Sequence, residues 1–172
     1  MFNSDFKQEV NRAMNFLAED ERTIFVGQSV MYDGAAIYDS LFGIPAYKRL
    51  EMPVIEDFQM GFCMGMALQG KIPVCMYPRI DFMVLALNQL VYHLDKASMF
   101  GWHPRMIIRT TVGQKQPLDA GPQHTQNHVP ALRYMLKNVE ITELNDAKGV
   151  IFAYTRALRS SRPQLIVENP CM

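Results

Sequence analysis

At 172 residues the chain is long enough for one compact domain with its own core and too short for two. A hydrophobic fraction of 49% and a charged fraction of 20% are globular values, which excludes disorder except at the termini. Lysine plus arginine equals aspartate plus glutamate, at 17 each, so no net field draws a polyanion and no nucleic-acid partner is expected.

The opening MFNSDFKQEVNRAMNFLAED mixes acids and bases with apolar positions, unlike the uninterrupted apolar core of a signal peptide. No window reaches the roughly 18 uncharged apolar residues of a membrane span. A soluble, cytoplasmic protein with no membrane partner is the expectation. Cys63, Cys75 and Cys171 are odd in number and lack CxxC spacing, which predicts reduced, mostly buried thiols. The 13 methionines read as fillers of an irregular core.

In chain order, Phe6, Val10, Ala13, Met14 and Leu17 recur at three- and four-residue steps and predict an amphipathic helix over 4–20, capped by Ser4 or Asp5. TIFVG, 23–27, is a short buried strand. SVMYDGAAIYDSLFG follows as a turn-rich stretch, with Asp33-Gly34 as the turn signal and a helical turn after it. YKRLEMPVI reads as a second strand running to Pro53, and 57–69 as a helix closed by Gly70. IPVCMY, 72–77, is the third strand. A long apolar helix is predicted from about Asp81 to Gly101. RMIIRTTV is a strand, 113–130 a Gly-, Pro- and Gln-rich loop, VEITEL a strand, NDAKGVIFAYTRALRSS a helix and QLIVEN the last strand. Short oily strands alternating with helices predict an α/β fold, a three-layer sandwich around a mostly parallel central sheet. The 113–130 loop is longer than a simple connection needs, and loops of that length are commonly functional.

Within 51–70, EMPVIEDFQMGFCMGMALQG, the spacing of Glu56, Gly61-Phe62 and Gly65 resembles the pyrimidine-side signature of thiamine diphosphate enzymes. The resemblance is to the beta subunit of pyruvate and branched-chain 2-oxoacid dehydrogenase E1 components and, more distantly, to the pyrimidine-binding domain of transketolase. It runs over nearly the whole chain through IFVGQSV, YDGA, PVIE, the pair Asp81-Phe82, QHTQ and DAKG, in the family's order. It implies a thiamine diphosphate-binding fold in one pyrimidine-binding domain, residues 1–172.

The resemblance also implies the site. Glu56 stands where the family's carboxylate meets ring nitrogen N1' of the cofactor and favours the tautomer whose amino group can act as a base. At a helix start the dipole supports its charge while an apolar pocket raises its pKa. Asp57 beside it reads as a helix cap or a solvent-facing acid. Gly61 and Gly65, one turn apart, permit close approach of another helix or the cofactor, and the family's helix lies at a subunit interface. Phe82 corresponds to the aromatic that holds the aminopyrimidine ring; the plain alternative is a core phenylalanine. Val54 takes the place of a residue whose backbone lies beside that ring. Pro78 departs from the pattern, because branched-chain relatives have a glutamine there.

His124 matches the histidine facing the substrate, against the alternative of a solvated loop residue. His124 and His128 are four apart, but no HExxH-type acid accompanies them and Pro122 and Pro130 bracket the stretch, so no metal site is expected. His93 and His103 have no nameable partner, and TRALRSSR reads as a basic helix C-terminus.

The family's diphosphate half carries a GDG segment and a downstream asparagine, and GDG does not occur here. The chain ends at IVENPCM, where longer beta subunits continue into a third domain, so an isolated pyrimidine domain is expected. These features imply the small subunit of a split enzyme. It would be active only with an alpha-type chain holding the diphosphate and Mg²⁺, in an α2β2 assembly, on a 2-oxo acid or sugar substrate. The implied chemistry is decarboxylation with acyl or aldehyde transfer, or ketol transfer as in transketolase. The alternative is a non-catalytic interaction or regulatory subunit that kept the fold.

Overall fold

A computed structural model describes residues 4–114 and 119–169. Twelve elements matter here. They are α1 Ser4–Ala18, β1 Thr23–Gly27, α2 Ala36–Ser40, β2 Arg49–Glu51, α3 Glu56–Leu68, β3 Ile72–Met76, α4 Ile80–Met83, β4 Ile107–Thr111, α5 Val129–Met135, β5 Glu140–Leu144, α6 Val150–Arg159 and β6 Gln164–Glu168. The six strands form one sheet in the order β2-β1-β3-β4-β6-β5, with every pair parallel.

Parallel strands covered on both faces are largely apolar, and all five residues of β3 and of β6 are buried, with the polar exceptions Gln164 and Glu168 at the ends of β6. Pro73 sits inside β3 without disrupting it, because the ladder to β4 begins one residue later, at Val74 against Ile107. One face is closed by α1, α2 and α6, where Phe6, Val10, Met14, Leu17, Val150 and Tyr154 pack on Phe25, Val74 and Ile166. The other is closed by α3, α5 and the segment after β3, through Met60, Cys63, Met83, Leu90, Leu94 and Leu132. The three layers expected from the alternation of elements are present.

Two connections differ from expectation. The segment read as one long helix keeps a helical path but changes its winding: α-helical at Ile80–Met83, three-ten at Val84–Ala86, π-type at Asn88–Leu94 and three-ten again at Ala97–Phe100, ending at Gly101 with φ +77°. The cause lies at its far end. The Asp95 carboxylate accepts the backbone N–H groups of Lys137, Asn138 and Val139, and its carbonyl accepts the Asn138 amide, so the chain is drawn toward the loop before β5. The second difference is α5, seven residues with Pro130 in its first turn, which anchors the end of the long loop to the core through Val129 and Leu132. The second strand is also shorter than expected, ending at Glu51. Cys63 and Cys75 are free and buried, and Cys171 lies outside the described residues.

Candidate functional site

Glu56 opens α3. No side chain caps that helix, and the first turn instead carries Glu56 and Asp57, two negative charges at its positive end. A tight turn, Ile55 N–H to the Pro53 carbonyl at 2.8 Å, brings the chain in. Glu56 is only 6% exposed, and among the described residues no hydrogen bond or ion pair engages its carboxylate. Its backbone carbonyl accepts the Tyr77 hydroxyl at 2.9 Å, which locks the start of α3 to the end of β3. Burial pushes the Tyr77 phenol far up, with nearby Cys75, Cys63 and Glu56 adding to it, so the hydroxyl stays protonated as the donor in that bond. Gln59, wholly buried, makes the same junction by donating to the Met76 carbonyl at 2.9 Å. Val54 is 74% exposed just before this junction.

Asp57 is neither a cap nor solvated. It is half-buried and accepts from the Gln89 amide at 3.2 Å. Gly61 belongs to the same contact, since a Cβ there would lie 3.4 Å from Gln89, whereas a Cβ on Gly65 would meet nothing within 4 Å. Phe58 and Phe62, one turn apart on α3 with ring centroids 6.0 Å apart, leave an apolar face of α3 exposed, with exposed Ile55 just before it.

Phe82 and His124 form the second group. Phe82, in α4, stacks on the His124 ring with centroids 5.2 Å apart and planes at 43°. The His124 carbonyl accepts from Arg79 at 3.1 Å, and its Nδ1 is buried without a hydrogen-bond partner. The loop lies close over the end of β4, because a Cβ on Gly113 would sit 1.6 Å from the His124 carbonyl oxygen. Only glycine fits there. The structure therefore brings Phe82 together with His124, and Glu56 together with Tyr77. The short run Tyr77-Pro78-Arg79 joins the two groups.

Three clusters had no signal in the sequence reading. The Glu51 carboxylate accepts the backbone N–H groups of Ser29, Val30 and Met31 at 2.6–2.9 Å and shapes the turn after β1, where Ser29 has φ +60°. Asp81 lies beside His128, Oδ1 to Nε2 at 3.4 Å. Arg109 on β4 and Glu168 on β6, two residues apart in register since Arg109 pairs with Ile166 and Thr111 with Glu168, form a buried bidentate pair at 2.8 and 3.0 Å. Tyr154 donates to Glu168 at 2.6 Å and Arg109 to the Ser40 hydroxyl at 2.6 Å. Burial alone would lower the Arg109 pKa, but the Glu168 charge holds it above the ordinary value. Isolated acids and bases far apart in sequence announce such pairs only once the topology is known. A cavity of about 300 Å³ lies beside this cluster, lined by Phe6, Ile37, Met76, Pro78, Arg79 and Thr110 among others, and its lining includes none of Val54, Glu56, Phe82 or His124.

The fold and the two groups define an α/β chain that presents a buried carboxylate at one helix start and an aromatic–histidine pair near the next. Comparison with known proteins agrees with the resemblance drawn from the sequence. The chain is 28% identical to the human mitochondrial pyruvate dehydrogenase E1 component subunit beta, over 96% of this chain and 47% of that protein. It is 25% identical to the mitochondrial 2-oxoisovalerate dehydrogenase subunit beta of Chaetomium thermophilum, over 94% of this chain and 35% of that one. The chain thus spans about half or less of the length of these relatives. Among solved structures, a split-gene transketolase described as an inactive beta4 tetramer superposes with a TM-score of 0.72 at 17% identity, covering 96% of this chain and 51% of that one. Transketolase from Campylobacter jejuni gives 0.75 at 15% identity, covering 94% of this chain and 25% of its own. The fold is therefore transketolase-like. No family model matches the chain.

Proposed function

We propose that this chain is the pyrimidine-binding component of a thiamine diphosphate-dependent enzyme and works with a second chain that holds the diphosphate and Mg²⁺. The observation that carries this reading is Glu56, a residue only 6% exposed at a helix start whose carboxylate has no hydrogen-bond or ion-pair partner among the described residues. A carboxylate held in place this way with its oxygens uncommitted can accept from a ligand, and a protonated ring nitrogen is a suitable complement. The residues present fit the aminopyrimidine. When bound, the cofactor supplies an electron sink for carbon–carbon bond cleavage and its own amino group as base. Glu56 would hold the proton at ring N1', Phe82 would supply an apolar plane, and exposed Val54 would lie at an edge of the same ring. His124, stacked on Phe82, is the group able to hold or move a proton on the substrate.

The substrate class proposed is a 2-oxo acid or a ketose, with acyl, aldehyde or ketol transfer. The exposed apolar face of α3 supports assembly with other chains, and α2β2 is the arrangement proposed. A cytoplasmic location belongs to the same reading; no helix among the described residues is long and apolar enough to cross a membrane. The non-catalytic alternative has no specific observation in its favour. Isothermal titration tests the division of labour. Thiamine diphosphate with Mg²⁺ is expected to bind a mixture of this chain with a partner carrying GDG and its asparagine, and to bind neither chain tightly alone. Tight binding and turnover by this chain alone would contradict the reading.

A further inference from the structure

The residues Asp81 and Phe82 in the first turn of α4 each meet a histidine from the loop after β4. Phe82 meets His124, and Asp81 meets His128. Both Asp81 carboxylate oxygens are buried and, among the described residues, neither makes a hydrogen bond. A carboxylate shut away from water in this manner is unfavourable unless a counter-charge faces it. Arg79, two residues away, uses Nη1 on the His124 carbonyl, and among the described residues His128, with Nε2 at 3.4 Å from Oδ1, is the one basic side chain within ion-pair distance of Asp81.

The rest of the loop explains why that contact matters. Apart from Gln114 at its start, which donates to the Asn169 side-chain carbonyl, its other hydrogen bonds among the described residues are local: His124 N–H and Thr125 hydroxyl to the Gly121 carbonyl, Gln126 to Pro122, and Val129 N–H to Asn127. The His124 ring lies tilted against Phe82, and its Nδ1 has no hydrogen-bond partner among the described residues. His128, by contrast, is a fixed post. It immediately precedes α5, whose Val129 and Leu132 are buried in the core. A tie from this post to Asp81 fixes the loop's end against the first turn of α4, the same turn that carries Phe82.

We propose that Asp81 and His128 form a charged strut that sets the height of the loop over α4 and so keeps the His124 imidazole on the Phe82 ring. His128 is then a positioning residue. The strut is a property of this chain; only the use made of His124 rests on the function proposed above.

Proton NMR of the full chain reads the strut without partner or cofactor. The four histidines can be assigned by single substitutions. Asp81→Asn removes the charge at constant volume, and His128→Asn removes the ring. Each is expected to abolish the ring-current displacement of the His124 resonances, moving them to where they lie in Phe82→Leu, while His93 and His103 stay in place. If His124 keeps its displacement in both, the strut is disproved. Should Asp81→Asn fail to fold, His128→Arg decides. Retention of the displacement with Arg and loss with Asn support a charge strut, and any other pattern overturns it.

In the reconstituted enzyme, Asp81→Asn is expected to lower turnover roughly tenfold or more, and to add nothing in a His124→Ala background. An additive loss there contradicts positioning through His124. Loss of stacking by NMR alongside a complex that never turns over would count against the proposed function while leaving the strut intact.

Discussion

Two sets of buried charge lie near the carboxyl end of this sheet, and they are treated in opposite ways. Around Arg109 and Glu168 each group is answered: guanidinium by carboxylate and hydroxyl, carboxylate by guanidinium and phenol. Around Asp81 and His124, buried polar atoms lack hydrogen bonds among the described residues, and the Glu56 carboxylate has no protein partner there either. A satisfied network joins β4, β6, α6 and α2, and its effect is on folding. Unsatisfied groups carry a cost the fold gains nothing from, which is the signature of a place prepared for something else. On the function proposed above, the comparison teaches that stability and activity are separable here, residue by residue.

It can be broken or sharpened by substitution. The largest effect is expected for Arg109→Met, which strands Glu168 and Tyr154 in the core and is predicted to cost about 3–5 kcal/mol in urea unfolding. Next comes Asp95→Asn. Burial alone would raise the Asp95 pKa, but the Lys96 ammonium and three backbone N–H groups outweigh it and hold the carboxyl below its ordinary value. A depressed carboxyl stabilises the fold fully above its unfolded pKa, roughly 4, and the contribution fades as pH falls through the lower folded value. Asp95→Asn is therefore predicted to lose about 2–3 kcal/mol at neutral pH and to show a shallower decline than the parent chain between pH 5 and 2. Gly113→Ala must push the loop off the β4 end, at about 1–2 kcal/mol by the same unfolding assay. The smallest stability effect, under about 1 kcal/mol, is expected for Glu56→Gln, since it removes a buried charge with no partner to strand.

Much of the fold was legible because it rests on local pattern. The apolar stripe of α1, the all-apolar β3 and Gly70 at φ +85° just past α3 are each written in neighbouring residues. The winding of the segment after α4 was not, because Asp95 bends it through bonds to residues more than forty positions away. Of the candidate site, Glu56, Phe82 and His124 were named through the resemblance. Their stacking was not, nor were Asp81–His128 and Arg109–Glu168, since pairs joined across loops or between strands leave no spacing to read. Asp57 was misjudged for the same reason, because its partner Gln89 lies 32 residues on.

The most direct test of the central claim is the rate of thiazolium C2 proton exchange in the reconstituted complex carrying Glu56→Gln. The account predicts exchange slowed about 100-fold or more, with assembly and unfolding midpoint unchanged. Exchange at the parent rate would remove Glu56 from the cofactor and with it the reading of this site.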